Sequence, residues 1–94
     1  QAGGIHNKSN MTITNSEISD NYSFSDGGGI RNDGTITISF STISHNSSSL
    51  GGGIENYNTL DITSSIISEN YAYNKGAGIF LGSESNVTIG GENN

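Results

Sequence analysis

Few residues in this 94-residue chain are equipped for chemistry. Nine carboxylates stand against three basic side chains and two histidines, and cysteine is absent. Without Cys there is no disulfide framework, no thiolate metal site and no thiol nucleophile. Acid–base catalysis on a sugar chain needs paired carboxylates about 5–10 Å apart in one groove. The best constellation of that kind is Asp20, His45 and Glu69, with His45 twenty-five residues after Asp20 and twenty-four before Glu69. The other acids scatter. His6 and His45 occupy different phases of that spacing, so they do not form a metal pair. The glycine doublets lack the following Lys-Ser/Thr of a phosphate-binding loop. No catalytic residue, no metal and no cofactor is therefore expected, and the chain is read as a non-enzyme.

The spacing belongs to the whole chain. Gly3-Gly4-Ile5 recurs as Gly28-Gly29-Ile30, Gly52-Gly53-Ile54 and Gly76-Ala77-Gly78-Ile79. Met11-Thr12-Ile13 recurs as Ile36-Thr37-Ile38, Leu60-Asp61-Ile62 and Val87-Thr88-Ile89. Ile18-Ser19-Asp20-Asn21 recurs as Ile43-Ser44-His45-Asn46 and Ile67-Ser68-Glu69-Asn70. A fixed period of this size marks a stacked architecture. Within each repeat apolar and polar residues alternate with a period of two, which is strand periodicity with one buried face. Three short strands per repeat are predicted, near 3–7, 10–14 and 16–20 and at the equivalent positions of the later repeats.

Three strands in such a period fit one coil of a parallel β-solenoid, each strand pairing with its equivalent about 4.8 Å away. The chain is read as one all-β segment, 1–94, of about 3.7 coils, near 2–26, 27–50, 51–75 and 76–94. The predicted inward columns are Ile5/Ile30/Ile54/Ile79, Met11/Ile36/Leu60/Val87, Ile13/Ile38/Ile62/Ile89 and Ile18/Ile43/Ile67, with Ser16/Ser41/Ser65 at a corner. The length changes after Asn46 and at 82–86 are expected to fall in turns. The register also sets Arg31 over Glu55, Lys8 beside Asp33, and His45 between Asp20 and Glu69. These are read as exposed opposite-charge pairs worth about 0–1 kcal/mol each.

The Gly-Gly-x-Ile block followed by Ile-Ser-x-Asn resembles the repeats of right-handed parallel β-helix surface proteins. It is similar to the GG[A/L/I]I…FxxN repeat of chlamydial polymorphic outer-membrane proteins, with Ile18, Ile43 and Ile67 where that repeat has Phe. Related repeats occur in bacterial adhesins and autotransporter passengers of the pectin-lyase-like superfamily. The resemblance spans the chain and implies a right-handed parallel β-helix. For function it implies a secreted or cell-surface role, on a fold that hosts adhesins, fibres, lyases and hydrolases.

Each recurrent polar column has a reading. Asn7/Asn32/Asn56 and Asn21/Asn46/Asn70 are expected at turns, where Asn tolerates left-handed backbone and stacked amides hydrogen-bond along the axis. Gly4/Gly29/Gly53/Gly78 is expected to form a tight corner or take positive φ, or to leave a bare strip for another backbone. Outward residues of the second strand form a hydroxyl-rich grid, Thr12/Thr37/Asp61/Thr88 and its neighbours, which resembles the ice-binding face of some antifreeze proteins. Thr is also a favoured residue on any exposed strand face. Tyr22, Phe24, Tyr71 and Tyr73 cluster after the third strand, as a sugar platform, a subunit contact or a corner cover.

A net charge of −6 argues against nucleic acid, which needs Lys/Arg density. No apolar run reaches the roughly 18 residues of a membrane span. Asn-x-Ser/Thr occurs at Asn7, Asn10, Asn21, Asn46 and Asn86. No polar cap is recognisable at either end, and the tail reads Gly91-Glu92-Asn93-Asn94. An open coil end is an unpaired strand edge. The expected partners are therefore further coils, from flanking chain or from other copies, with a glycan as a further candidate. The leading expectation is a non-catalytic fibre subunit or adhesin stalk. A glycan- or ice-binding module comes second, and a lyase-like enzyme third.

Overall fold

The computed structural model describes residues 3–90, so the tail 91–94 lies outside the described residues. All regular elements there are short strands, and all their pairings are parallel. The first coil holds β1 (Ile5–Asn7), β2 (Asn10–Thr14) and β3 (Glu17–Ser19). The second holds β4 (Ile30–Asn32), β5 (Thr35–Ser39), β6 (Thr42–Ser44) and β7 (Ser47–Leu50). The third holds β8 (Ile54–Asn56), β9 (Thr59–Thr63), β10 (Ile66–Ser68) and β11 (Tyr71–Lys75). The fourth holds β12 (Ile79–Leu81) and β13 (Asn86–Gly90).

Strands of equal phase stack into faces: β1-β4-β8-β12, β2-β5-β9-β13, β3-β6-β10 and β7-β11. The register follows the repeat residue by residue. Ile5 pairs with Ile30, Ile30 with Ile54 and Ile54 with Ile79. Ile13, Ile38, Ile62 and Ile89 align in the same way. Ile30, Ile36, Ile38, Ile43, Ile54, Leu60 and Ile62 form the closed interior, at 0–1 % exposure. Equivalent residues of the end coils close less well. Ile5, Met11, Ile18, Ile67, Ile79 and Val87 are partly buried, and Ile89 is 57 % exposed. Its column position is that of a core residue, but the described residues place no coil over it.

Four expectations need correction. The coil has a fourth strand position, β7 and β11, which Tyr22 joins through an isolated parallel bridge to Ser47. The one-residue difference after Asn46 falls inside that strand pair, as a register shift between Ala72 and Lys75, and not in a turn. The left-handed residues are not the asparagine columns. They are Asn15, Phe40 and Ser64 between the second and third strands, and Asp20, His45 and Glu69 after the third. Each bends the chain sharply at φ between 49° and 59°.

The glycine column is the fourth. Gly4, Gly29, Gly53 and Gly78 do not take positive φ; among the described glycines Gly51 and Gly76 do. Gly4, Gly29 and Gly53 are glycine because coils approach closely there, whereas a Cβ on Gly78 would meet only Ile67 Cγ2 at 3.7 Å. A Cβ on Gly29 would lie 2.6 Å from the Gly53 carbonyl oxygen and 3.0 Å from the Asn46 amide nitrogen. Gly4 and Gly53 meet the same arrangement, with Asn21 and Asn70. At Gly4, Gly29 and Gly53 the bare strip is therefore filled by this chain itself.

Candidate functional site

Two polar systems hold the coils together inside. In the first, Asn7 Nδ2 donates to Asn32 Oδ1 at 2.8 Å, and Asn32 Nδ2 donates to Asn56 Oδ1 at 2.7 Å. In the second, Asn21 Nδ2 donates to Asn46 Oδ1 at 3.0 Å, and Asn46 Nδ2 donates to Asn70 Oδ1 at 3.1 Å. Leu81 occupies the fourth position of the first column, so that ladder stops at Asn56. The corner serines link in a third series: Ser16 N–H donates to Ser41 Oγ and Ser41 N–H to Ser65 Oγ, each at 3.2 Å. Ladder bonding and burial take up Asn7, Asn21 and Asn46, leaving Asn10 and Asn86 as exposed Asn-x-Ser/Thr sites.

Charge gathers on the outside of the first face. His6, Arg31, Glu55 and Phe80 share its outward column. The Arg31 guanidinium binds Asp26 at 2.7 Å and Asp33 at 3.0 Å, and lies 3.9 Å from Glu55. His6 Nε2 meets Asp33 at 2.7 Å. Among the described residues no ion pair joins Lys8 to Asp33, because His6 and Arg31 occupy that carboxylate. Glu55, expected at the surface, has no exposed area. The Gly27 N–H donates to one of its oxygens at 3.2 Å and the Tyr57 hydroxyl to the other at 2.6 Å. Arg31 also lies over the Tyr57 ring, 4.8 Å from its centroid.

These contacts set the acidities. Burial raises the Asp33 carboxyl, but the His6 and Arg31 hydrogen bonds outweigh it and hold the group below the ordinary value. Burial likewise raises Glu55, and there it prevails over the Tyr57 and Gly27 hydrogen bonds. The Glu55 bond pushes the Tyr57 phenol up to about 12. A carboxyl raised in the folded state binds its proton more tightly there than in the unfolded chain. Its stabilising contribution is full below the unfolded value of 4.5 and declines as pH rises through the folded value. Wild type is therefore expected to lose stability relative to Glu55→Gln as pH rises from 4.5 towards neutrality. Urea unfolding of both chains at each pH reads the difference, and parallel curves would show that Glu55 titrates normally.

The Asp20/His45/Glu69 column is looser. His45 meets Glu69 at 3.2 Å, both side chains more than half exposed. The structure thus concentrates its charges elsewhere, around Asp26, Glu55, Tyr57 and His6. The sequence signal for that cluster was the Arg31–Glu55 column; its burial depends on Tyr57 and the Gly27 turn.

The remaining candidates lie on the second face and the fourth. Thr12, Thr37, Asp61 and Thr88 align in one row, with Asn10/Thr35/Thr59/Asn86 and Thr14/Ser39/Thr63/Gly90 beside it. Asp61 and Gly90 interrupt the hydroxyl grid. On the fourth face Tyr22 and Tyr71 both pair with Ser47 and so share a column two coils apart. Phe24, Tyr22, Tyr73 and Tyr71 form a chain of edge-to-face contacts with centroids 5.6, 6.5 and 5.2 Å apart. All four stay more than half exposed.

The sequence matches the family profile of a right-handed beta helix region over residues 2–93. The chain belongs to that right-handed β-helix family. No curated protein and no solved structure matches it. The hand of the β-helix follows from the family, and its coils are those traced by the four faces. No described helix is long and apolar enough to cross a membrane.

Proposed function

We propose that this β-helix is a rigid, non-catalytic structural element, a secreted or cell-surface filament subunit or stalk segment that makes contact through its coil ends. The supporting observation is the state of those ends. Among the described residues, β1, β2 and β3 pair on one side only, as do β12 and β13. The interior columns reach those ends half covered, with Ile89 the most open. Apolar columns and unpaired strand edges together template another coil. The best carboxylate of the charged cluster is closed to solvent, which favours a structural role for it. The Cys-free, acidic, Asn- and Ser-rich composition suits an extracellular location.

One residue shapes how a coil docks. Ala77 stands where earlier coils have Gly3, Gly28 and Gly52. A Cβ on Gly28 or Gly52 would lie 2.6 or 2.7 Å from the carbonyl oxygen one coil on. Ala77 carries such a Cβ, so a further coil on that end meets it unless the corner opens. Overpacking of this kind costs about 1–3 kcal/mol. Negative-stain microscopy over a concentration series tests the proposal, with filaments of about 4.8 Å axial repeat expected in diffraction. Ala77→Gly is expected to lower the concentration needed for filaments about tenfold. Discrete particles from both chains at every concentration would rule the stacking out.

A further inference from the structure

We propose that the aromatic strip on the fourth face is a binding site for an extended neutral glycan. The strip runs along the coil axis, from the first coil (Tyr22, Phe24) to the third (Tyr71, Tyr73). Two coil spacings separate the Tyr22 and Tyr71 backbones, about 9.6 Å. The one ring step between coils, Tyr22 to Tyr73, has centroids 6.5 Å apart, the scale of one pyranose residue, while Phe24 and Tyr71 widen the patch within their own coils at 5.6 and 5.2 Å. Pyranose rings present apolar C–H faces edged by hydroxyls. Aromatic side chains with polar tips complement both parts.

The groups between the rings are uncharged hydrogen bonders. The second coil carries Ser47, Ser48 and Ser49 where the third carries Tyr71, Ala72 and Tyr73. Asn74 Nδ2 donates to Ser49 Oγ at 2.8 Å on the exposed surface. Ser48 is fully buried, so Ser47 and Ser49 supply the hydroxyls beside the rings, with phenol and amide groups at the margin.

Charge narrows the occupant. Asp20 precedes Asn21 and Tyr22, and Glu69 precedes Asn70 and Tyr71, so a carboxylate stands before the strip at both levels, with Lys75 on its other side, two residues beyond Tyr73. Net charge is −6. A uronate polymer, a nucleic acid or a second copy laid edge to edge would bring like charge against those carboxylates. A neutral glycan loses nothing to them. The other exposed aromatic, Phe40, stands on a different corner at a left-handed residue and is not part of the strip.

Native affinity electrophoresis of the full chain in gels containing hydroxyethylcellulose, xyloglucan, galactomannan or polygalacturonate tests this. Retardation by at least one neutral polymer and none by polygalacturonate is expected. Tyr22→Ala and Tyr71→Ala, with circular dichroism unchanged, are expected to weaken binding about tenfold each. Tyr71→Phe keeps the ring and is expected to keep most of the binding. Phe40→Asn is expected to bind like wild type. No retardation by any neutral polymer would overturn the proposal. So would equal loss in Phe40→Asn, retardation by polygalacturonate as strong as by the neutral polymers, or self-association through the strip without glycan binding.

Discussion

Asn32→Ala is expected to destabilise the β-helix by about 2–4 kcal/mol. Asn32 is fully buried, and its amide nitrogen serves three acceptors: Gly34 O at 3.1 Å, Asn56 Oδ1 at 2.7 Å and Thr59 O at 2.9 Å. Its oxygen accepts from Asn7 Nδ2 and the Gly34 N–H. Asn7 keeps its bonds to Ser9 O and Thr35 O when Asn32 is truncated. The Asn56 oxygen and the Gly34 N–H lose the Asn32 partner, and each unmet buried group costs about 1–3 kcal/mol. Asn32→Asp is expected to be worse although it is nearly isosteric. It turns the donor into an acceptor facing three oxygens and buries a charge. Asn58→Ala, on an exposed residue with a 3.4 Å bond to Asp33 O, is expected to stay within about 0.5 kcal/mol. Urea unfolding followed by circular dichroism ranks the three. An Asn32→Ala cost under about 1 kcal/mol would remove the ladder from the account of stability.

Gly29→Ala is expected to cost about 3 kcal/mol or more, enough to leave little folded chain. Its added Cβ meets the Gly53 carbonyl oxygen at 2.6 Å and the Asn46 amide at 3.0 Å. The carbonyl can retreat only if the second and third coils part, which stretches the Ile30 N–H bond to Gly53 O, now 2.9 Å. The amide can retreat only by leaving its ladder. Gly78→Ala makes the same chemical change in the last glycine corner. There the nearest atom is Ile67 Cγ2 at 3.7 Å, ordinary contact, and the expected cost is under about 0.5 kcal/mol. The pair therefore separates close coil approach from the intrinsic difference between Gly and Ala. Equal costs at both positions would place the effect in backbone entropy.

Much of this was legible before any coordinates. Period-two alternation within a long repeat defines both a strand face and its stacking partner, so Ile30, Ile38 and Ile54 could be assigned to the core by phase alone. Tyr22 and Tyr71 share one phase of the repeat, and Phe24 and Tyr73 follow each by two residues, which grouped them. The β7–β11 pair was not legible. Ser47-Ser48-Ser49-Leu50 and Tyr71–Lys75 share no residue identity and show no apolar alternation. They pair because neighbouring strands already hold their backbones one coil apart.

Composition and periodicity by themselves determined the parallel solenoid, its register and its interior columns, because each depends on residues repeating against their own kind. Three features were decided only in three dimensions. Glu55 is buried because the turn at Gly27, from the preceding coil, and Tyr57 close over it. The glycine corner is glycine because a neighbouring carbonyl lies where a Cβ would go. The aromatic strip is continuous because Tyr73 bridges Tyr22 and Tyr71 across a serine level. In the first and third cases the deciding contact joins different phases of the repeat, and a column read along the sequence carries no information about the column beside it; in the second it is the closeness of two coils within one column, which residue spacing does not give.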